Sequence, residues 1–138
     1  MESIELIRLA KKAMKNAYVP YSHFRVGAAL LTDKDEVYTG CNVENASFGG
    51  TNCAERTALF KAISEGKRKF KAVAVISDSD DYTYPCGICR QVLSEFGLDL
   101  EIIVAKGNEE YRVHKLSELL PFAFTNAELE GGKVDEQI

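Results

Sequence analysis

Residues 72–105, AVAVISDSDDYTYPCGICRQVLSEFGLDLEIIVA, carry the reading that decides the fold. Ala72 to Ser77 is a short apolar run rich in β-branched residues and without polar alternation, the pattern of a fully buried strand. Pro85-Cys86-Gly87 opens a helical stretch that runs to about Phe96 and is capped by Gly97. Leu100 to Ala105 is apolar again. Strand, helix and strand in that order predict a right-handed βαβ crossover between parallel neighbours.

Working outward, only Lys106 to Glu110 separates this unit from a further strand at Tyr111 to Lys115. So short a link permits an antiparallel hairpin and excludes a helical crossover, which needs about a dozen residues. A last short helix is expected over Ser117 to Leu120. Upstream, the loop Gly49-Gly50-Thr51-Asn52 feeds a helix from Cys53 to Glu65 that ends at Gly66. Val26 to Thr32 and a second strand through about Val43 flank the polar Asp33-Lys34-Asp35-Glu36 and read as an antiparallel hairpin. Residues 3–17 place Ile4, Ile7, Ala10, Ala13, Met14 and Ala17 on one helical face, with Pro20 as the stop. The order α-β-β-α-β-α-β-β-α predicts an α/β fold with three α-β-α layers around a mixed five-stranded sheet, its last two strands antiparallel. A single domain over 1–138 is expected, since the 138 residues suit one core.

Composition narrows the function classes. A hydrophobic share of 46% and a charged share of 28% belong to a globular protein, and no apolar run approaches the roughly 20 residues of a membrane span. The opening MESIELIRLAKK lacks a signal-peptide core, so a cytoplasmic location is the expectation. The net charge of −4 argues against a nucleic-acid partner. Lys67-Arg68-Lys69 with Lys71 reads as a solvated loop rather than a phosphate patch, and Asp78 to Asp81 would repel a polynucleotide.

Four cysteines in such a chain are not naturally paired as disulfides. Cys41 reads as an ordinary buried thiol in a strand. Cys53, Cys86 and Cys89 each sit at the start of a predicted helix, where unpaired N–H groups and the helix dipole favour the thiolate a metal requires. Three protein ligands leave the fourth tetrahedral position of zinc open, as in catalytic sites; His23 and His114 have no paired spacing that would close it. Glu55 follows Cys53 by two residues. It complements the helix dipole or, beside an open zinc, moves protons between water and a substrate nitrogen. Arg56 is either a surface ion pair or a donor to the sulfurs that offsets their excess negative charge, and spacing alone leaves both open.

Cys53-Ala54-Glu55 followed by Pro85-Cys86-Gly87-Ile88-Cys89 is similar to the zinc deaminase signature, a pattern already known to pair three cysteines with an acid/base glutamate. More closely, the chain resembles the small homotetrameric cytidine deaminases from the first helix to about Leu129. The resemblance is carried by Tyr21-Ser22-His23-Phe24-Arg25-Val26-Gly27-Ala28-Ala29, Gly40-Cys41-Asn42-Val43-Glu44-Asn45-Ala46, Cys53-Ala54-Glu55-Arg56-Thr57-Ala58 and Cys86-Gly87-Ile88-Cys89-Arg90-Gln91. It implies one Zn²⁺ per chain on Cys53, Cys86 and Cys89, with Glu55 catalytic and Arg56 compensating thiolate charge. It further implies Phe24 lining the pyrimidine pocket, Asn42 and Glu44 on the ribose hydroxyls, and Ala54 contacting the base through its backbone. Phe124 is implied to reach a neighbouring subunit's site in a homotetramer with intersubunit active sites. Phe48 departs from the family, which usually has tyrosine there, and this puts a hydrogen bond from that position in doubt.

The activity so implied is hydrolytic deamination of cytidine and deoxycytidine to uridine and deoxyuridine with release of ammonia, in pyrimidine salvage. Competing readings are a deaminase of another small substrate, a polynucleotide editor, a non-catalytic zinc module and a thiol oxidoreductase. The zinc module requires a fourth protein ligand and a dispensable Glu55. The oxidoreductase leaves Cys53, Glu55 and Arg56 without a role.

Overall fold

The computed structural model describes residues 1–130; residues 131–138, included in the single-domain expectation, lie outside the described residues. The elements are α1 (Ser3–Met14), β1 (Val26–Thr32), β2 (Val37–Cys41), α2 (Ala54–Ser64), β3 (Phe70–Ser77), α3 (Gly87–Ser94), β4 (Glu101–Ala105), β5 (Tyr111–Lys115), α4 (Leu116–Leu119) and α5 (Asn126–Glu130), with a single 3-10 turn over Phe48–Gly50. The strands form one sheet in the order β2-β1-β3-β4-β5. β1 pairs antiparallel with β2 and β3, β3 and β4 run parallel, and β4 meets β5 antiparallel with Glu101 opposite Lys115.

Alternation along the central strands splits the core into two halves. Ala28, Leu30, Val73, Val75, Ile102 and Val104 face α2 and α3, packing on Ala58, Leu59, Ala62 and Leu93. Ala29, Leu31, Ala74, Ile76 and Ile103 face α1, meeting Leu6, Ile7 and Ala10. A strand covered on both faces needs no polar positions, which is why all of β1 is buried and why β3 is buried from Ala72 onward. Two glycines set how closely the helices approach. A Cβ on Gly27 would lie 2.1 Å from the Ala10 carbonyl oxygen, and one on Gly40 2.5 Å from the Ala58 nitrogen.

Several ends differ from expectation, each for a tertiary reason. α1 stops at Met14, short of residue 17, because the Arg25 guanidinium donates to the Lys15 and Ala17 carbonyls while Tyr18 turns to pair with Val43. β2 ends at Cys41 rather than Val43, since Val43 exchanges both backbone hydrogen bonds with Asn52. Cys41, at that strand end, is only half-buried instead of buried. α3 ends at Ser94 rather than Phe96, and α4 starts and ends one residue before its expected span. α5 was not expected, although Thr125-Asn126-Ala127-Glu128 holds its readable start: the Glu128 carboxylate accepts from the Thr125 N–H and hydroxyl. The basic turn is held by ion pairs from Lys67 to Glu36 and from Lys71 to Asp35 on the first hairpin's turn. No helix among the described residues is long and apolar enough to cross a membrane.

Register explains how distant motifs converge. Val26 lies opposite Ser77 and Gly27 opposite Cys41, so the start of β1 and the ends of β2 and β3 share one edge of the sheet. Phe24, Asn42 and Glu44, and the loop leading to Cys86 all leave from that edge.

Candidate active site

Cys53 and Cys86 are the residues immediately before α2 and α3, and Cys89 lies in the first turn of α3. Neither Cys53 nor Cys86 caps its own helix through its side chain. The thiols turn toward each other instead: the three sulfurs lie within 4.8 Å of one another, and those of Cys53 and Cys86 are 3.8 Å apart. Tetrahedral zinc with Zn–S bonds of about 2.3 Å demands a sulfur–sulfur edge of about 3.8 Å, so the cluster fits the ion. Among the described residues the group contains three ligands, leaving neither histidine as a fourth. His114 Nε2 is 3.0 Å from the Tyr84 hydroxyl.

Electrostatics favour the thiolate at Cys53. The Cys53 thiol is held well below its ordinary value by the hydrogen bond from Cys89, with further support from Arg56 and Cys86. Cys89 moves the other way, because it keeps the proton it shares with Cys53. Arg56 Nη2 donates to Cys53 Sγ at 3.3 Å, which selects the sulfur-donor reading of Arg56 over a surface ion pair. Its Nε–H is buried without a partner among the described residues. A buried donor left over beside sulfur is what an anionic cluster accommodates.

Glu55 is 4% exposed. Desolvation pushes its carboxyl up to about 7, reinforced by the negative charge at Cys53. A carboxyl poised there can both accept and release a proton near neutral pH.

The second group of residues sits beside the first because the Val43–Asn52 bridge lays the end of β2 along the approach to Cys53. Asn42 is occupied within the chain: its Oδ1 accepts from the Val26 N–H at 2.9 Å and its Nδ2 donates to the Phe24 carbonyl at 2.8 Å. Glu44 Oε1 accepts from the N–H groups of Tyr21 and Ser22 at 3.0 and 3.1 Å, and Oε2 accepts from the Ser22 hydroxyl. These bonds hold the Glu44 carboxyl below its usual range, the Ser22 hydroxyl foremost. Phe24 is partly exposed at the start of β1, and Ala54 is fully buried in the first turn of α2. Phe124 is exposed, while its carbonyl accepts from Gln91 Nε2 at 2.7 Å and so ties the chain's tail to α3. Phe48 projects from the 3-10 turn and meets the Tyr21 ring edge-on, with centroids 5.7 Å apart.

Two supports give no sign of themselves in periodicity or spacing. Arg90 reaches back from α3 to the Pro85 carbonyl and across to that of Leu119, both at 2.8 Å, and so braces the Cys86 loop. Ser22 joins Glu44 to the Phe24 N–H, which it accepts at 3.0 Å.

An open three-sulfur metal centre with a buried carboxylic acid at its side, set on an α-β-α sheet edge, defines a zinc-dependent hydrolase of the deaminase type. Residues 1–106 match the family described as the cytidine and deoxycytidylate deaminase zinc-binding region, and the chain belongs to that family. The cytidine deaminase of Sporosarcina psychrophila is 50% identical over 133 residues, covering 94% of this chain and 96% of that protein. That of Halalkalibacterium halodurans is 50% identical over 126 residues, covering 91% and 96%. The crystal structure of cytidine deaminase from Burkholderia pseudomallei superposes with a TM-score of 0.87 at 49% identity, covering 90% of this chain and all of that one.

Proposed function

We propose that this chain is a zinc-dependent hydrolase that converts cytidine and deoxycytidine to uridine and deoxyuridine with release of ammonia. The observation that carries the reading is Glu55: a carboxyl buried two residues from Cys53 and raised to about 7. The zinc ion, when held by Cys53, Cys86 and Cys89, supplies the Lewis acidity that makes water acidic at neutral pH. Glu55 takes a proton from the attacking water and sets it on N3 of the pyrimidine. It then carries the water's remaining proton to the amino nitrogen on C4. The C4–O bond forms, the C4–N bond breaks and ammonia leaves, with no change in oxidation state, and the carboxylate is regenerated.

Arg56 keeps Cys53 in its thiolate form through their contact. Phe24 packs against the pyrimidine, and the Ala54 backbone contacts the base. Asn42 and Glu44 receive the ribose hydroxyls with the hydrogen-bonding capacity their internal contacts leave over. Phe124 belongs to the site of a neighbouring copy in a homotetramer; its exposure supports this role. The proposal includes one domain over the chain, pyrimidine salvage and a cytoplasmic location, for which four free thiols are suitable.

The test is ammonia release from cytidine by purified protein, together with metal content. Glu55→Gln is expected to keep one zinc per chain and lose at least about a hundredfold in turnover. Near-normal turnover in that variant would remove Glu55 from the mechanism.

A further inference from the structure

Glu44 is fixed before any nucleoside arrives. A carboxylate offers about four acceptor positions, two on each oxygen. Oε1 spends both on the successive N–H groups of Tyr21 and Ser22. Oε2 accepts the Ser22 hydroxyl and keeps one position free. The same Ser22 oxygen accepts the Phe24 N–H at 3.0 Å. Between them His23 stands at φ 57°, in the left-handed region, so the turn is a strained one that these bonds hold in place. A cavity of about 420 Å³ lined by Tyr21, Ser22, Glu44, Phe48 and Thr51 opens at this point.

We infer that Ser22 is a positioning residue for substrate: its hydroxyl locks Glu44 in one orientation, with a single acceptor position aimed at a sugar hydroxyl, and couples that orientation to the placement of Phe24. The inference rests on the nucleoside reading above. Ser22 touches neither the cysteine cluster nor Glu55 in any hydrogen bond of the described residues, so its effect belongs to binding of the sugar rather than to proton transfer. Without the hydroxyl, Glu44 retains its two backbone donors but gains freedom at Oε2, and the Phe24 N–H loses its acceptor.

The experiment compares Ser22→Ala and Ser22→Thr with wild type in steady-state deamination of cytidine, with zinc content as the check on folding. Ser22→Ala is expected to raise KM about tenfold with kcat within about twofold, the pattern of a lost binding interaction. Ser22→Thr, which keeps the hydroxyl at an exposed position, is expected to restore KM. A ¹³C NMR titration of ligand-free protein reads the lock without substrate: the Glu44 carboxyl is expected to move up toward its ordinary value in Ser22→Ala. An unchanged KM in Ser22→Ala overturns the inference, as does an equal loss in Ser22→Thr or a fall confined to kcat. If wild type turns over no cytidine, the nucleoside reading fails and takes this inference with it. If wild type is active and the variants match it, the inference alone fails.

Discussion

Arg56 shows how much of the site's chemistry sits in one side chain. Three thiolates around a divalent ion carry a net negative charge, which weakens the ion's pull on water. The guanidinium donates to Cys53 Sγ at 3.3 Å, and in the function proposed above its planar fork draws back part of that charge. Lysine keeps the charge and loses the fork. Arg56→Lys is therefore expected to retain zinc, as measured by metal analysis, while kcat for cytidine falls about tenfold. A variant with unchanged kcat would reduce Arg56 to a structural partner of the sulfurs. At this scale the grouping of Cys53, Cys86 and Cys89 is legible from sequence, because zinc ligation demands particular residue types at short spacing. The link from Glu44 to Ser22 is not legible, since it depends on two segments 22 residues apart in sequence meeting at the start of β1.

At the scale of elements, helix and sheet meet with no space to spare at two points. The side chain missing at Gly27 would collide with the backbone of α1, and the one missing at Gly40 with that of α2. Backbone cannot rotate away as a flexible side chain can, so the helix must lift as a unit. Gly27→Ala is expected to destabilise the fold by about 2–3 kcal/mol, read from urea unfolding. Gly40→Ala carries a further effect, because Cys53 immediately precedes α2: its activity is expected to drop along with its stability. Strand and helix identities follow from apolar runs and glycine caps. Element ends follow less well. The end of α1 is set by Arg25, and the end of β2 by Asn52, neither of which a local pattern contains.

On the scale of the whole molecule, the metal ligands come from the starts of two helices that the chain separates by the whole of α2 and β3. An ion held by all three sulfurs binds the folded chain more tightly than the unfolded one, so it stabilises by mass action. Stripping zinc with a chelator is expected to lower Tm by about 10 °C or more in scanning calorimetry, and restoring zinc to bring it back. An unchanged Tm would mean that the ion binds the folded chain no more tightly than the unfolded one. The layering of helices over a mixed sheet is legible from the order of elements and the shortness of the link at Lys106 to Glu110. Convergence of the motifs on one edge is not, because it needs the antiparallel register of β1 against β3.

That division of ligands has a consequence for engineering. The turn after α2, around Gly66, is largely exposed and lies between Cys53 and the pair at Cys86 and Cys89. Severed there, the chain yields one fragment with Cys53, Glu55 and Arg56 and another with Cys86 and Cys89. Neither fragment holds a complete coordination sphere. Fused to two interacting partners, the halves form a coincidence detector, in which reassembly across the β1–β3 seam is reported by the return of a catalytic signal.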